Sequence, residues 1–194
     1  EERRKLARSG HSSLLGRGGS IFSQNVTRWR NPVVWVSMAI QPQRGEKAPD
    51  FDVPVIGGEY GEKATVTLAD LRGSTVVLYF YPKDATPGCT TQACGIRDAW
   101  GEISARAVVF GVSVDPIKTH RQFLAKYDLP FPLISDEAKT MVEAYGVWVE
   151  KKLYGKVYFG TERTTFVIDK EGIITAVFPK VKPTEHVDLV LGAL

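Results

Sequence analysis

Both cysteines of this 194-residue chain lie in one stretch, YFYPKDATPGCTTQAC, as Cys89 and Cys94 with four residues between them. A thiol pair can ligate a metal, brace a fold as a disulfide, or carry redox chemistry. A structural zinc site takes four ligands, usually with paired C-x₂₋₄-C spacing. Here there is one cysteine pair, and His11, His120 and His186 are remote from it in sequence. No metal is expected. On one helix, residues five positions apart are separated by about 7.5 Å along the axis and point about 140° apart. A disulfide needs its Cα atoms within about 6.8 Å. The pair therefore cannot close on an intact helix, and oxidation would have to be coupled to local unwinding. The plain alternative is that both are small buried hydrophobes, and Cys94 taken alone is unremarkable.

Position separates Cys89 from that alternative. Thr86 and Pro87 are helix-start signals, so Cys89 falls in the first turn, where unpaired backbone N–H groups and the helix dipole favour an anion. That is where a thiolate nucleophile is placed. Thr86, three residues ahead, has two readings: a hydroxyl donor to the thiolate or to a bound oxygen, or a simple N-cap. Pro82 would fix the turn and shield the thiol. Two competing functions remain at this point. An electron carrier or disulfide reductase ordinarily uses Cys-x-x-Cys, which closes at a helix start. A copper-binding module would need a third ligand, and neither His120 nor His186 lies in an obvious motif.

The elements that must position these residues alternate in type. TVVLYFYP is a continuous β-branched and aromatic run, the pattern of a central strand buried on both faces. The turn at 82–88 leads to a helix over CTTQACGIRDAWGEISAR. AVVFGVSVD is a second buried strand, PIKTHRQFLAKYD a helix with Pro116 in its first turn, FPLISD a short strand and EAKTMVEAYG a helix closed by Gly146. Upstream, GEKAPDFDVPV is extended and ATVTLADLRG is a short strand and turn. From residue 147 the pattern turns to strands, with a hairpin signal in TTFVID-KEG-IITAVF and a terminal helix in TEHVDLVLGAL. These elements predict an α/β sandwich around a mixed sheet. The strand–turn–helix order puts Cys89 at the carboxyl end of a central strand, where open α/β folds place sites. Gly95, beside Cys94, costs a helix interior about 1 kcal/mol relative to alanine and is expected to ease unwinding.

Charge and composition bound the rest. Residues 1–37 hold seven basic and two acidic side chains, a net of +5 that leaves −2 for 38–194 against the overall +3. The basic character belongs to the leader, so nucleic acid is not an expected partner. No run approaches 18 apolar residues, so no membrane span is expected. Residues 1–37 read as a leader or expression-derived tail, poorly ordered, ahead of a start at Met38; their Arg- and Ser-rich composition also suits an organelle transit segment. The domain is expected over 38–194. Two cysteines are too few for a secreted disulfide scaffold, which favours a reducing, cytoplasmic setting.

YPKDATPGCT also resembles the peroxidatic motif of peroxiredoxins, Pro-x-x-x-Thr-x-x-Cys, met by Pro82, Thr86 and Cys89. The second cysteine in CTTQACGIRD resembles the bacterioferritin comigratory protein, or peroxiredoxin Q, group, and APDFDVP, VVLYFYPKD, VVFGVSVD and ERTTFVIDKEG follow that group in order over roughly residues 43–190. The resemblance implies a thioredoxin-like fold and a thiol peroxidase for hydrogen peroxide and organic hydroperoxides. It assigns Cys89 as the peroxidatic and Cys94 as the resolving cysteine, joined as a disulfide in the cycle, and puts Arg163 beside the thiolate. It implies thioredoxin as reductant, no metal, haem or flavin, and a monomer or weak dimer. Trp100 and Trp148 are expected reporters of unwinding.

Overall fold

The computed structural model describes residues 40–153 and 155–194; the leader expected over 1–37 lies outside them. Nine strands are described: β1 (Asp52–Gly57), β2 (Tyr60–Thr67), β3 (Val76–Phe80), β4 (Val108–Ser113), β5 (Leu133–Ser135), β6 (Trp148–Leu153), β7 (Lys156–Thr161), β8 (Thr164–Ile168) and β9 (Ile174–Phe178). Five helices go with them: α1 (Pro87–Asp98), α2 (Trp100–Ser104), α3 (Ile117–Tyr127), α4 (Thr140–Ala144) and α5 (His186–Ala193).

Seven strands form one sheet in the order β2-β1-β5-β4-β3-β8-β9. β3, β4 and β5 run parallel, while β8 pairs antiparallel with both β3 and β9, so the sheet is mixed, as the element order predicts. All five residues of β3 are buried. Because successive strand side chains point to opposite faces, Val76, Leu78 and Phe80 enter one apolar cluster and Val77 and Tyr79 the other. That second cluster receives Cys89, Ala93 and Ile96 from α1, Ile103 from α2, Phe123 from α3 and Val190 from α5. The first receives Met141 and Val142 from α4. Among the described residues no helix is long and apolar enough to cross a membrane.

Three details differ from the sequence reading. The helix after Cys89 is two helices, because Ala99 leaves helical geometry at φ −96°, ψ 12° and serves as C-cap of α1 and N-cap of α2. Pro116 stands outside α3 as its N-cap, in extended geometry. The strands after residue 147 begin with a separate hairpin, β6–β7, before the β8–β9 pair joins the main sheet.

Candidate active site

Pro87 opens α1, and a proline there loses nothing because the first helical N–H groups have no intrahelical partner anyway. Cys89 is the third residue of α1 and 2% exposed. Its Sγ receives a hydrogen bond of 3.3 Å from Nη2 of Arg163, which lies between β7 and β8. The other arm of the guanidinium, Nη1, donates to Oε1 of Gln92. Gln92 follows Cys89 by three positions, hence on the same helix face. It is fully buried, and its Nε2 has no partner among the described residues. The guanidinium thus forks between sulfur and a neutral amide, and among the described residues no carboxylate is paired with it.

Thr86 is the N-cap residue of α1, but its side chain makes no capping bond. Its hydroxyl donates to the Lys83 carbonyl at 3.0 Å. In this structure the O–H is thus directed at the Lys83 carbonyl within the turn, with no bond to the Cys89 sulfur or to a capping N–H among the described residues. The lone pairs of the oxygen remain to accept a hydrogen bond. Pro82 sits half-buried in the same turn. Cys94 is half-buried further along the intact α1, and both thiols are free. The structure therefore brings Cys89 and Arg163 into contact, gathers Pro82 and Thr86 in the adjoining turn, and holds Cys94 on the same helix at a separation that needs unwinding to close.

Two residues to which the sequence assigns no role complete the surroundings. His186, at the start of α5, is buried, with Nε2 2.8 Å from Oγ1 of Thr165. Burial, reinforced by the nearby Arg163 charge, lowers its pKa to about 3, so it is neutral beside the guanidinium. Lys151 on β6 donates to the Thr161 carbonyl at 2.6 Å, and burial pushes its ammonium below the usual range. Gln92 was the readable one, because i, i+3 spacing from Cys89 puts a polar group at the thiol's face. Nothing in the order of residues ties His186 or Lys151 to position 163. Among the described residues no group of three or more His, Cys, Asp or Glu is arranged to hold a metal ion.

Residues 44–177 match the model of the AhpC/TSA family. The chain belongs to that family. It is 47% identical over 151 residues to the peroxiredoxin Bcp of Bacillus subtilis (strain 168), an alignment covering 77% of this chain and 93% of that one. It is 44% identical to the peroxiredoxin Bcp of Escherichia coli (strain K12), covering 77% and 94%. Among solved structures it resembles the bacterioferritin comigratory protein of Xanthomonas campestris, a protein described by its alkyl peroxide reduction activity. That match has a TM-score of 0.70 and 36% identity, covering 80% of this chain and 94% of that one. The peroxiredoxin resemblance and the thioredoxin-like α/β fold are borne out, and the protein is a thiol-dependent peroxidase that uses a peroxide substrate and a thiol reductant.

Proposed function

We propose that Cys89 is the peroxidatic nucleophile and Cys94 the resolving thiol, with Thr86, Arg163 and Pro82 completing the site. The observation that carries this reading is the 3.3 Å contact from Arg163 to the Cys89 sulfur in the first turn of α1. The guanidinium cannot lose its charge and presents fixed donors. The Cys89 thiolate attacks the terminal oxygen of a hydroperoxide; the S–O bond forms as the O–O bond breaks. Sulfur is oxidised by two electrons to the sulfenic acid, and the departing oxygen leaves, after taking up a proton, as alcohol or water. Arg163 holds the approaching oxygen and stabilises charge on the leaving one. Thr86 accepts a hydrogen bond from the peroxide O–H, because its own proton is engaged by Lys83.

In the second step the start of α1 unwinds and the Cys94 thiolate attacks the sulfenic sulfur. An S–S bond forms, the S–OH bond breaks, and the hydroxide leaves as water. A dithiol reductant, which we take to be thioredoxin, then restores both thiols by exchange. Hydrogen peroxide and organic hydroperoxides are the substrates in this reading. The protein works as a monomer or weak dimer, in the cytoplasm, where a thiol pool supplies reductant.

The test is mass spectrometry of the Cys94→Ser protein after one equivalent of hydrogen peroxide, with a sulfenic-acid trap present. A rapid adduct on Cys89, replaced in the wild type by a Cys89–Cys94 disulfide, is the expected result. An unmodified Cys89 thiol rejects the assignment.

A further inference from the structure

The turn that precedes Cys89 is fastened from beneath by a buried polar cluster to which the chemistry above gives no role. Asp84, between Pro82 and Thr86, is 4% exposed, and His120 on α3 is 0% exposed. Oδ1 of Asp84 accepts from the Tyr81 hydroxyl at 2.6 Å, and Oδ2 lies 2.7 Å from Nδ1 of His120. Nε2 of His120 lies 3.1 Å from the Ile134 carbonyl on β5. A carbonyl only accepts, so Nε2 carries its hydrogen toward Ile134, and a single proton lies between Nδ1 and Asp84. The second carboxylate of the cluster is also partnered. Oδ2 of Asp115 receives the Asp84 backbone N–H at 2.9 Å and the Ser113 hydroxyl at 2.8 Å.

The consequence is local. Ala85, next after Asp84, holds φ +54°. A non-glycine residue pays roughly 1–2 kcal/mol for that left-handed conformation, so the turn does not keep its shape unaided. Buried, fully partnered polar groups do hold such strain in place. Thr86 and its bond to Lys83 follow immediately, then the first turn of α1. We propose that His120 is a positioning residue for peroxide reduction: bridging Asp84 and the β5 carbonyl, it fixes the 83–86 turn that aims Thr86 and the Cys89 thiol at the substrate. This rests on Cys89 being the attacking thiol. The same pin leaves the turn in place while α1 unwinds, so that rewinding returns Cys89 to Arg163.

The two ring contacts can be removed separately. His120→Gln places an amide near Nε2 and abandons Asp84; His120→Asn places one near Nδ1 and abandons Ile134. Both lose packing, but only the first frees the turn. The readouts are the second-order rate with hydrogen peroxide by stopped flow and the rate of Cys89 alkylation by iodoacetamide, in a Cys94→Ser background. Alkylation needs the thiolate, which Arg163 and the first turn of α1 favour, but not Thr86 in register. His120→Gln should lose tenfold or more against peroxide while alkylation stays within about twofold, and His120→Asn should recover the peroxide rate to within about threefold of the parent. A wild-type peroxide rate in His120→Gln, a parallel fall in both reactions, or equal losses in Gln and Asn overturns the proposal. If His120→Gln does not fold, Tyr81→Phe removes the other donor to Asp84 at almost constant volume. It should show the same selective loss, smaller in size; an unchanged rate counts against the pin. Failure of the parent itself to form a sulfenic acid at Cys89 instead removes the reading of the site on which the proposal stands.

Discussion

At the scale of single residues, the forked guanidinium is the feature that sets the chemistry. Arg163 serves two acceptors at once, Gln92 and the Cys89 sulfur, from one rigid plane. A lysine keeps the charge but is a point donor that cannot reproduce the fork. Arg163→Lys should therefore lose roughly tenfold to a hundredfold in the peroxide step, whereas Arg163→Met, which also removes the charge, should lose about 10²–10³-fold, the range for deleting a preorganised donor to developing charge. Stopped-flow oxidation of the reduced enzyme measures both. Equal rates for the two variants would mean that geometry, and not charge, is what Arg163 supplies. Gln92 could have been found from its spacing. It was not, because a polar residue in a helix is far more often solvated than buried against a guanidinium.

At the scale of elements, helix α1 must be stable enough to present Cys89 and weak enough to unwind. By its type alone Gly95 softens the helix. The structure adds a second reason for it: a Cβ at this position would lie 3.1 Å from Cγ2 of Val187 on α5, tighter than ordinary packing. Gly95→Ala alone thus mixes two opposed effects, a stiffer helix and a loosened α5. Replacing Val187 with alanine as well removes the crowding and isolates the first. Against Val187→Ala, the double variant Gly95→Ala/Val187→Ala should form the Cys89–Cys94 disulfide about fivefold more slowly, the equivalent of about 1 kcal/mol of helix propensity. The peroxide step should stay unchanged. Trp100 is placed to report the event, since α2 follows α1 directly and its ring lies 5.7 Å from Phe131 in the core. An equal disulfide rate would show that the unwinding of α1 stops short of residue 95.

Elements differed in how much of themselves they disclosed in sequence. The buried strands β3 and β4 are continuous apolar runs, and the start of α1 carries Thr86 and Pro87, so strand, turn and nucleophile were readable together. The β6–β7 hairpin was not resolved as an element, because WVEKKL and KVYFGT mix charge with apolar residues without clean alternation. Val157, Tyr158 and Phe159 are 57%, 46% and 51% exposed, which breaks the link between hydrophobicity and burial that sequence reading relies on. The Asp84–His120 pair spans 36 positions, and a contact at that range is fixed by how α3 lies on the sheet. No local pattern announces it.

At the scale of the whole molecule, His186 couples folding to pH. Its folded pKa of about 3 lies far below the ordinary 6.5, because burial and then the Arg163 charge oppose the imidazolium. Below pH 6.5 the unfolded chain binds a proton here that the folded one refuses until about pH 3. Stability is therefore lost as pH falls through that window, at up to about 1.4 kcal/mol per unit, or roughly 2 kcal/mol between pH 6.5 and 4.5. Asp136 has the opposite sign: burial raises its carboxyl above the usual value, so the folded state binds that proton more readily, and its contribution grows as pH falls through the carboxylate range. In the unfolded chain the His186 imidazole takes up its proton before the carboxylate range is reached, so its contribution comes first on the way down. His186→Gln keeps an amide near the Thr165 hydroxyl and has no proton to take up. It should be less stable than wild type at pH 8, yet lose roughly 2 kcal/mol less between pH 6.5 and 4.5 in urea unfolding. Identical slopes would assign the acid sensitivity to other groups. Because His186 begins α5, which packs on α1 through Val187 and Gly95, the same protonation loosens the helix carrying both thiols. Acid should therefore unfold wild type, read by tryptophan fluorescence, at a pH where His186→Gln has lost less of its own stability.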